Sequence, residues 1–304
     1  MVLASRIGAG DNFQVTPLFF YHSRRTGGMT FYYALKNALD AMFSAMSMGD
    51  PPMVRRLEEE SFSKADAEGH FFAFVATHAT FGLHERFDHG FNFTTILREP
   101  VGRLASLYTY RCMRTGSEPE AAGFEAFLDE PENHNEAVKQ LSGLNLADNA
   151  DSRHLQMAQD RLHATFHSFV TTPMITPLIE AYLSVMSLPN VVMARANRTR
   201  HHFRFDAAPF RARILGANAL DQQLYEHAAA AGQPPAPPDG MSKLSPVTVV
   251  IDEIESLQQS VSAGLAIPTE QFLEFAETRP ECLDDLGLIW ELTGRQRKSP
   301  AAMR

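Results

Sequence analysis

The sequence predicts an α/β fold, a three-layer core in which a mostly parallel central sheet is flanked by helices, and three observations carry that expectation. Short segments rich in Phe, Val, Ile and Thr recur at Pro17–Tyr21, Phe71–Ala76, Phe91–Leu97, Thr165–Val170 and Val191–Ala194, in the manner of strands. Helical patterns fall between or after most of them, and that alternation builds parallel sheets covered on both faces. The chain has 304 residues, 44% of them hydrophobic and 21% charged. This is ordinary globular composition, long enough for one large domain or two.

Pro17–Tyr21 reads as the first strand, and the strongest helical pattern follows at Thr30–Met46. Its apolar positions, Phe31, Ala34, Leu35, Ala38, Leu39, Met42, Phe43 and Met46, keep the i, i+3, i+4, i+7 rhythm of one buried helix face. Phe71–Ala76 and Phe91–Leu97 are the next strands. A helix opens at Pro100, since proline suits the first helical position, and sets Val101, Leu104, Tyr108 and Cys112 on one side. Thr165–Val170 and Val191–Ala194 complete the strands. The proline-rich run Gly232–Gly240 (GQPPAPPDG) reads as a stiff connector. It divides an α/β domain, residues 1–231, from a mainly helical C-terminal extension, residues 241–304. In that extension Val247–Ile251 is a short apolar run, and Asp252–Ala263, Thr269–Glu277 and Glu281–Leu292 read as helices. There is no internal repeat.

Several classes are disfavoured at once. A formal charge of −9 argues against a nucleic-acid partner. Two cysteines, Cys112 and Cys282, make no disulfide framework. No apolar run reaches the roughly 18–20 residues of a membrane span, and the opening residues lack a signal-peptide pattern. A soluble, cytoplasmic protein is the expectation.

In parallel sheets ligands bind beyond the carboxyl ends of the strands, and two strand-to-helix junctions there carry chemistry. From Leu18 to Leu35 (LFFYHSRRTGGMTFYYAL) a strand leads through two arginines and two glycines into a helix. Loop amides and a helix N-terminus suit an anion, and glycine permits close backbone approach. Arg24 and Arg25 add cations, and Thr26 and Thr30 add hydroxyls, so the segment reads first as an anion site; a plain tight turn at Gly27–Gly28 is the alternative. The Gly-Lys-Ser/Thr triplet of a Walker A loop is missing. From Phe91 to Arg111 a second strand meets a helix with Arg98 at the junction and Ser106 two turns further on. Arg98 suits a bidentate grip on phosphate, or a pairing with a carboxylate such as Glu99.

Taken together, the two segments resemble the sulfotransferases that use 3′-phosphoadenosine 5′-phosphosulfate (PAPS), in particular the branch containing heparan sulfate 2-O-sulfotransferase. That branch reads HIPKTGGTS at its 5′-phosphosulfate loop and LRDPVERFLSxYYY at its 3′-phosphate motif. This chain has HSRRTGGMT from His22 to Thr30 and LREPVGRLASLYTY from Leu97 to Tyr110. Between them ATHATFGLH, Ala76 to His84, is similar to the branch's GHxxFGL element. Asn133 to Gly143 (NHNEAVKQLSG) and Ala219 to Ala228 (ALDQQLYEHA) are weaker echoes. The resemblance spans roughly residues 17–230. It implies a P-loop-like core and sulfuryl transfer from PAPS to a hydroxyl of a carbohydrate or small molecule, without a metal. The loop Arg24, Arg25, Thr26, Gly27, Gly28, Met29 and Thr30 would cradle the 5′-phosphosulfate, and Arg98 and Ser106 would hold the 3′-phosphate. His78 would be the general base, a role that suits an imidazole. Arg25 stands where the family has lysine, Arg24 where it has proline and Glu99 where it has aspartate. Arginine keeps the charge but is bulkier and forked.

Two other readings remain open from the residues: a nucleotide-dependent phosphotransferase, and a non-catalytic nucleotide- or glycan-binding protein with a decayed site. His84 is a second candidate for orienting substrate or base, and His22 supports the loop. His163 and His167, four apart, would suit zinc on a helix, but their surroundings look strand-like and no third ligand lies nearby. The basic run Met193–Arg204 reads as a surface loop, and Arg295, Arg297 and Lys298 as a frayed tail.

Overall fold

The computed structural model describes residues 17–45, 53–57, 62–186, 188, 192–194, 205–235 and 249–251. The predicted helices beyond residue 251, the second half of the connector and most of the basic run lie outside the described residues.

The five central strands are β1 (Leu18–Tyr21), β2 (Met53–Leu57), β3 (Phe72–Thr77), β4 (Asn92–Leu97) and β5 (Phe166–Thr171), in the order β2-β3-β1-β4-β5. Every neighbouring pair is parallel, with Leu18 of β1 beside Phe74 on one side and Asn92 on the other. Helices cover both faces, so the three-layer α/β expectation holds. Helix α1 (Gly28–Ala45) follows β1, α2 (Lys64–Ala67) precedes β3, and α3 (Pro100–Thr115) follows β4. Three further helices precede β5 in the chain, α4 (Ala121–Leu128), α5 (Glu136–Ser142) and α6 (Ser152–Ala164), and α7 (Ile175–Val185) follows it. Last come α8 (Arg211–Ala217) and α9 (Ala219–Ala231).

Alternation along β1 splits the core in two, as the two-residue period of a strand requires. Leu18 and Phe20 join Phe31, Ala34, Leu35, Ala38 and Leu39 of α1 and Leu178, Ile179 and Leu183 of α7. Phe19 and Tyr21 face the other way, against α5, α6 and α9 through residues such as Val138, Leu141, Leu162 and Leu224. A third cluster joins α3 to α4 and α8 around Leu104, Tyr108, Cys112, Phe124 and Ile214. The predicted apolar face of the Pro100 helix is thus buried, with Val101 packed at its margin.

β2 was not among the predicted strands; its sequence, MVRRL, carries two exposed arginines. The predicted strand at Val191–Ala194 is β6 (Val192–Ala194), which pairs in parallel with β7 (Val249–Ile251), so the short apolar run after the connector is a strand. Past α9, Gln233 forms an antiparallel bridge with Phe169 of β5. Among the described residues no helix is long and apolar enough to cross a membrane.

Candidate functional site

The residues singled out from the sequence gather at the carboxyl ends of adjacent strands: His22–Gly27 after β1, His78 after β3 and Arg98 after β4. Thr172, at the end of β5, donates its hydroxyl to the carbonyls of Thr26 (3.0 Å) and Leu97 (3.2 Å), fastening the crest. The turn into α1 uses left-handed backbone at Arg25 (φ 67°) and Gly27 (φ 90°). The glycines are demanded from inside the protein: a Cβ on Gly27 would overlap Ile175, and one on Gly28 would overlap the His22 ring. Thr26 also faces inward, its buried hydroxyl donating to the Ser23 carbonyl at 3.0 Å. Thr30 closes the first helical turn through its amide to the Gly27 carbonyl at 3.0 Å. The Met29 sulfur lies 3.4 Å from the guanidinium of Arg56.

The three arginines differ in what they do. Arg24 is bound to Glu136, its amide at 2.9 Å and its guanidinium at 3.2 and 3.0 Å, so it anchors the loop to α5. Arg25 points the other way, with Nε donating to Ser106 Oγ at 3.0 Å and its guanidinium over the Tyr110 ring at 4.8 Å. Arg98 donates to the Arg25 carbonyl at 3.1 Å. The two predicted phosphate-binding segments are therefore in contact with each other. Glu99 caps α3 by accepting the Gly102 amide at 2.8 Å, and its carboxylate is 4.0 Å from Arg98. Both guanidinium groups, a serine hydroxyl and the N-terminus of an 18-residue helix make this part of the crest suited to anions.

His78 Nδ1 lies 2.7 Å from the His22 carbonyl. A carbonyl only accepts, so Nδ1 carries a proton, and of the two neutral tautomers this contact selects the one with its lone pair on Nε2, the form a base needs. The same carbonyl accepts from Gln140 Nε2 at 3.2 Å, and Gln140 also receives Ser23 Oγ at 3.1 Å. The His22 ring is stacked on Phe20 and beside His78 (centroids 4.5 and 4.2 Å), and neither of its nitrogens has a hydrogen-bond partner. Burial first, and then the neighbouring His78, hold its pKa well below 6.5, so it stays neutral and does not compete for protons.

The remaining histidines separate. His84 Nδ1 is 2.9 Å from the hydroxyl of Tyr21, which also accepts the amides of Gly82 and His84 at 3.2 Å. Tyr21 is then the donor, leaving His84 with its proton on Nε2; burial lowers the pKa of this ring. His163 is on α6 and His167 on β5, so they share no helix. Cys112 is buried.

Sequence reasoning assigned no role to the scaffold beneath the crest. Glu136 accepts from Arg24 and, at 2.6 Å, from the wholly buried Arg103. Arg103 also reaches Asp221 at 3.5 Å. Asp221 in turn accepts the amides of Ala137 and Val138 at 3.2 and 2.9 Å, while Asn135 accepts those of Leu220 and Asp221 at 3.0 and 3.1 Å. Helices α5 and α9 thus cap each other's N-termini. Asn135, Glu136, Ala137 and Val138 lie in the segment Asn133–Gly143, and Leu220 and Asp221 in Ala219–Ala228.

Among the described residues no group of three or more His, Cys, Asp or Glu side chains is placed to hold a metal ion. No family model matches the chain, and no curated protein matches it.

Proposed function

We propose that the protein is a PAPS-dependent sulfotransferase that acts on a hydroxyl of a carbohydrate or small molecule. The observation that carries this reading is the meeting, on one sheet edge, of the Arg25 loop, the Arg98–Ser106 pair and a histidine held in its basic tautomer. The donor set fits a nucleotide with anionic groups at two positions. Arg25 and the N-terminus of α1 suit the phosphosulfate, and Arg98 with Ser106 suits the 3′-phosphate.

PAPS would supply an activated sulfuryl group whose bond to a phosphate oxygen breaks as the bond to the acceptor oxygen forms. His78 Nε2 takes the proton of the acceptor hydroxyl, and the imidazolium so formed keeps its Nδ1–H bond to the His22 carbonyl. Arg25, fixed by Ser106 and Tyr110, supplies positive charge that requires no rearrangement, which is where most of the barrier lowering in transfers of this kind arises. The His22 carbonyl, itself bound by Gln140, and the His22 ring hold His78 in place.

Calorimetric titration of the chain with adenosine 3′,5′-bisphosphate, with AMP and ATP alongside, tests the cofactor class. Selective binding of the bisphosphate is expected, and magnesium-dependent preference for ATP would replace the proposal with a phosphotransferase. The His78→Gln variant should retain bisphosphate binding and lose sulfuryl transfer by roughly 10²–10⁴-fold in an acceptor screen. Unchanged transfer would remove His78 as the base. Bisphosphate binding with no transfer to any acceptor would favour the non-catalytic reading.

A further inference from the structure

His163 near the end of α6 and His227 on α9 are brought together across 64 residues of sequence, with their Nε2 atoms 2.7 Å apart. Their rings stand edge to face, 82° between planes and 4.8 Å between centroids. The pair lies at the surface, with His163 exposed and its ring edge-on to Phe169.

We propose that His163 and His227 form a two-histidine binding site for a divalent transition-metal ion of the copper or nickel class, independent of the anion-binding crest. An ion about 2.0–2.1 Å from each nitrogen would see the pair at an angle of roughly 80–85°. That is close to the right angle of tetragonal copper(II) or nickel(II) and well short of the roughly 109° of tetrahedral zinc. Imidazole is a good ligand for these ions, and copper(II) binds most tightly in the divalent series. Water would fill the other coordination positions.

Without metal, one Nε2 carries the proton shared across the 2.7 Å contact. Metal binding moves that proton through solvent to Nδ1 of the same ring, so both Nε2 lone pairs reach the ion and neither ring loses a proton overall. Because the ligands come from two helices, the bound ion would clamp α9 to α6.

The experiment uses the full chain with one equivalent of copper sulfate, followed by electron paramagnetic resonance and by competition titration. An axial copper(II) spectrum with hyperfine coupling from two imidazole nitrogens is expected. His163→Gln and His227→Gln should each weaken copper binding by an order of magnitude or more. His70→Gln, which removes an exposed histidine elsewhere, should leave it unchanged. Nickel chloride should raise the unfolding temperature of the wild type but not of the two site variants, since only a ligand of the folded state stabilises it. Equal copper affinity in wild type and both site variants would overturn the proposal, as would tighter binding of zinc than of copper. A wild-type spectrum without two-nitrogen coupling would overturn it however the variants fold.

Discussion

Because the His22 imidazole fills the space a Cβ would need at Gly28, the two residues act as one unit under the start of α1. Gly28→Ala should cost about 1–3 kcal/mol, the usual penalty of overfilling a packed site. Combining it with His22→Ala should recover most of that loss, and urea unfolding of the two singles and the double measures the coupling. Simple additivity would show that the ring and the glycine are not in contact. His22 has a second signature. Its folded pKa lies below 6.5, so the unfolded chain binds the extra proton, and stability falls as pH drops from 6.5 towards the lower folded value. His22→Ala should remove that part of the pH slope. The same ring carries no partner on either nitrogen, and its backbone carbonyl fixes the tautomer of His78. Its ring therefore packs under the loop, and its carbonyl orients the His78 ring.

Helix α5 has only seven residues, and all seven are buried. It has no amphipathic pattern to detect, because Glu136, Lys139 and Gln140 are satisfied by partners rather than by solvent. Lys139 donates to the carbonyls of Pro131 and Leu146 at 2.7 and 2.8 Å, and Asp221 meets the helix from 84 residues away. Such pairings are invisible to spacing along a chain. By contrast β1, β3, β4 and β5, helix α1 and the start of α3 were legible within a residue or two, the strands as apolar runs buried on both faces and the helices by their apolar stripe. That Arg25, Arg98 and His78 follow the carboxyl ends of strands was legible too, but the contact of Arg25 with Ser106 in α3 and the diversion of Arg24 to Glu136 were not. Arg103 and Arg24 hold the Glu136 carboxyl at about 2 against the ordinary 4.5, despite its burial. This contributes roughly 3 kcal/mol that is present above pH 4.5 and is lost as pH falls towards 2. Asp221, pushed up by burial, works in the opposite sense and reduces the net slope. Glu136→Gln should destabilise the protein by about 3–5 kcal/mol at neutral pH by leaving Arg103 buried without its closest counter-charge. It should also flatten the acid limb of an unfolding-versus-pH curve; an unchanged acid limb would show that Glu136 is not the group responsible.

At the scale of the molecule, the order β2-β3-β1-β4-β5 puts the strand that leads into the Arg25 loop at the centre, where neighbours on both sides fix its end. The chain then returns after α9 to the outer side of β5, through Gly232 and the Phe169–Gln233 bridge. A Cβ at Gly232 would overlap the carbonyl oxygens of Ala228 and Phe169. Gly232→Ala should therefore cost about 1–3 kcal/mol and speed hydrogen exchange at Phe169 and Gln233; unaltered exchange would mean that the return segment does not depend on this close approach. At the opposite border β2 is only five residues long and carries Arg55 and Arg56, both exposed. Successive strand residues point to opposite faces, so the two charges guard both sides of that border. One margin of the sheet is met by its own chain at the Phe169–Gln233 bridge and the other is short and cationic, two of the ways proteins keep unpaired strands from recruiting another chain. Copies of this protein that associate would therefore meet through helix faces or loops, and the five-stranded sheet would not be continued from one molecule into the next.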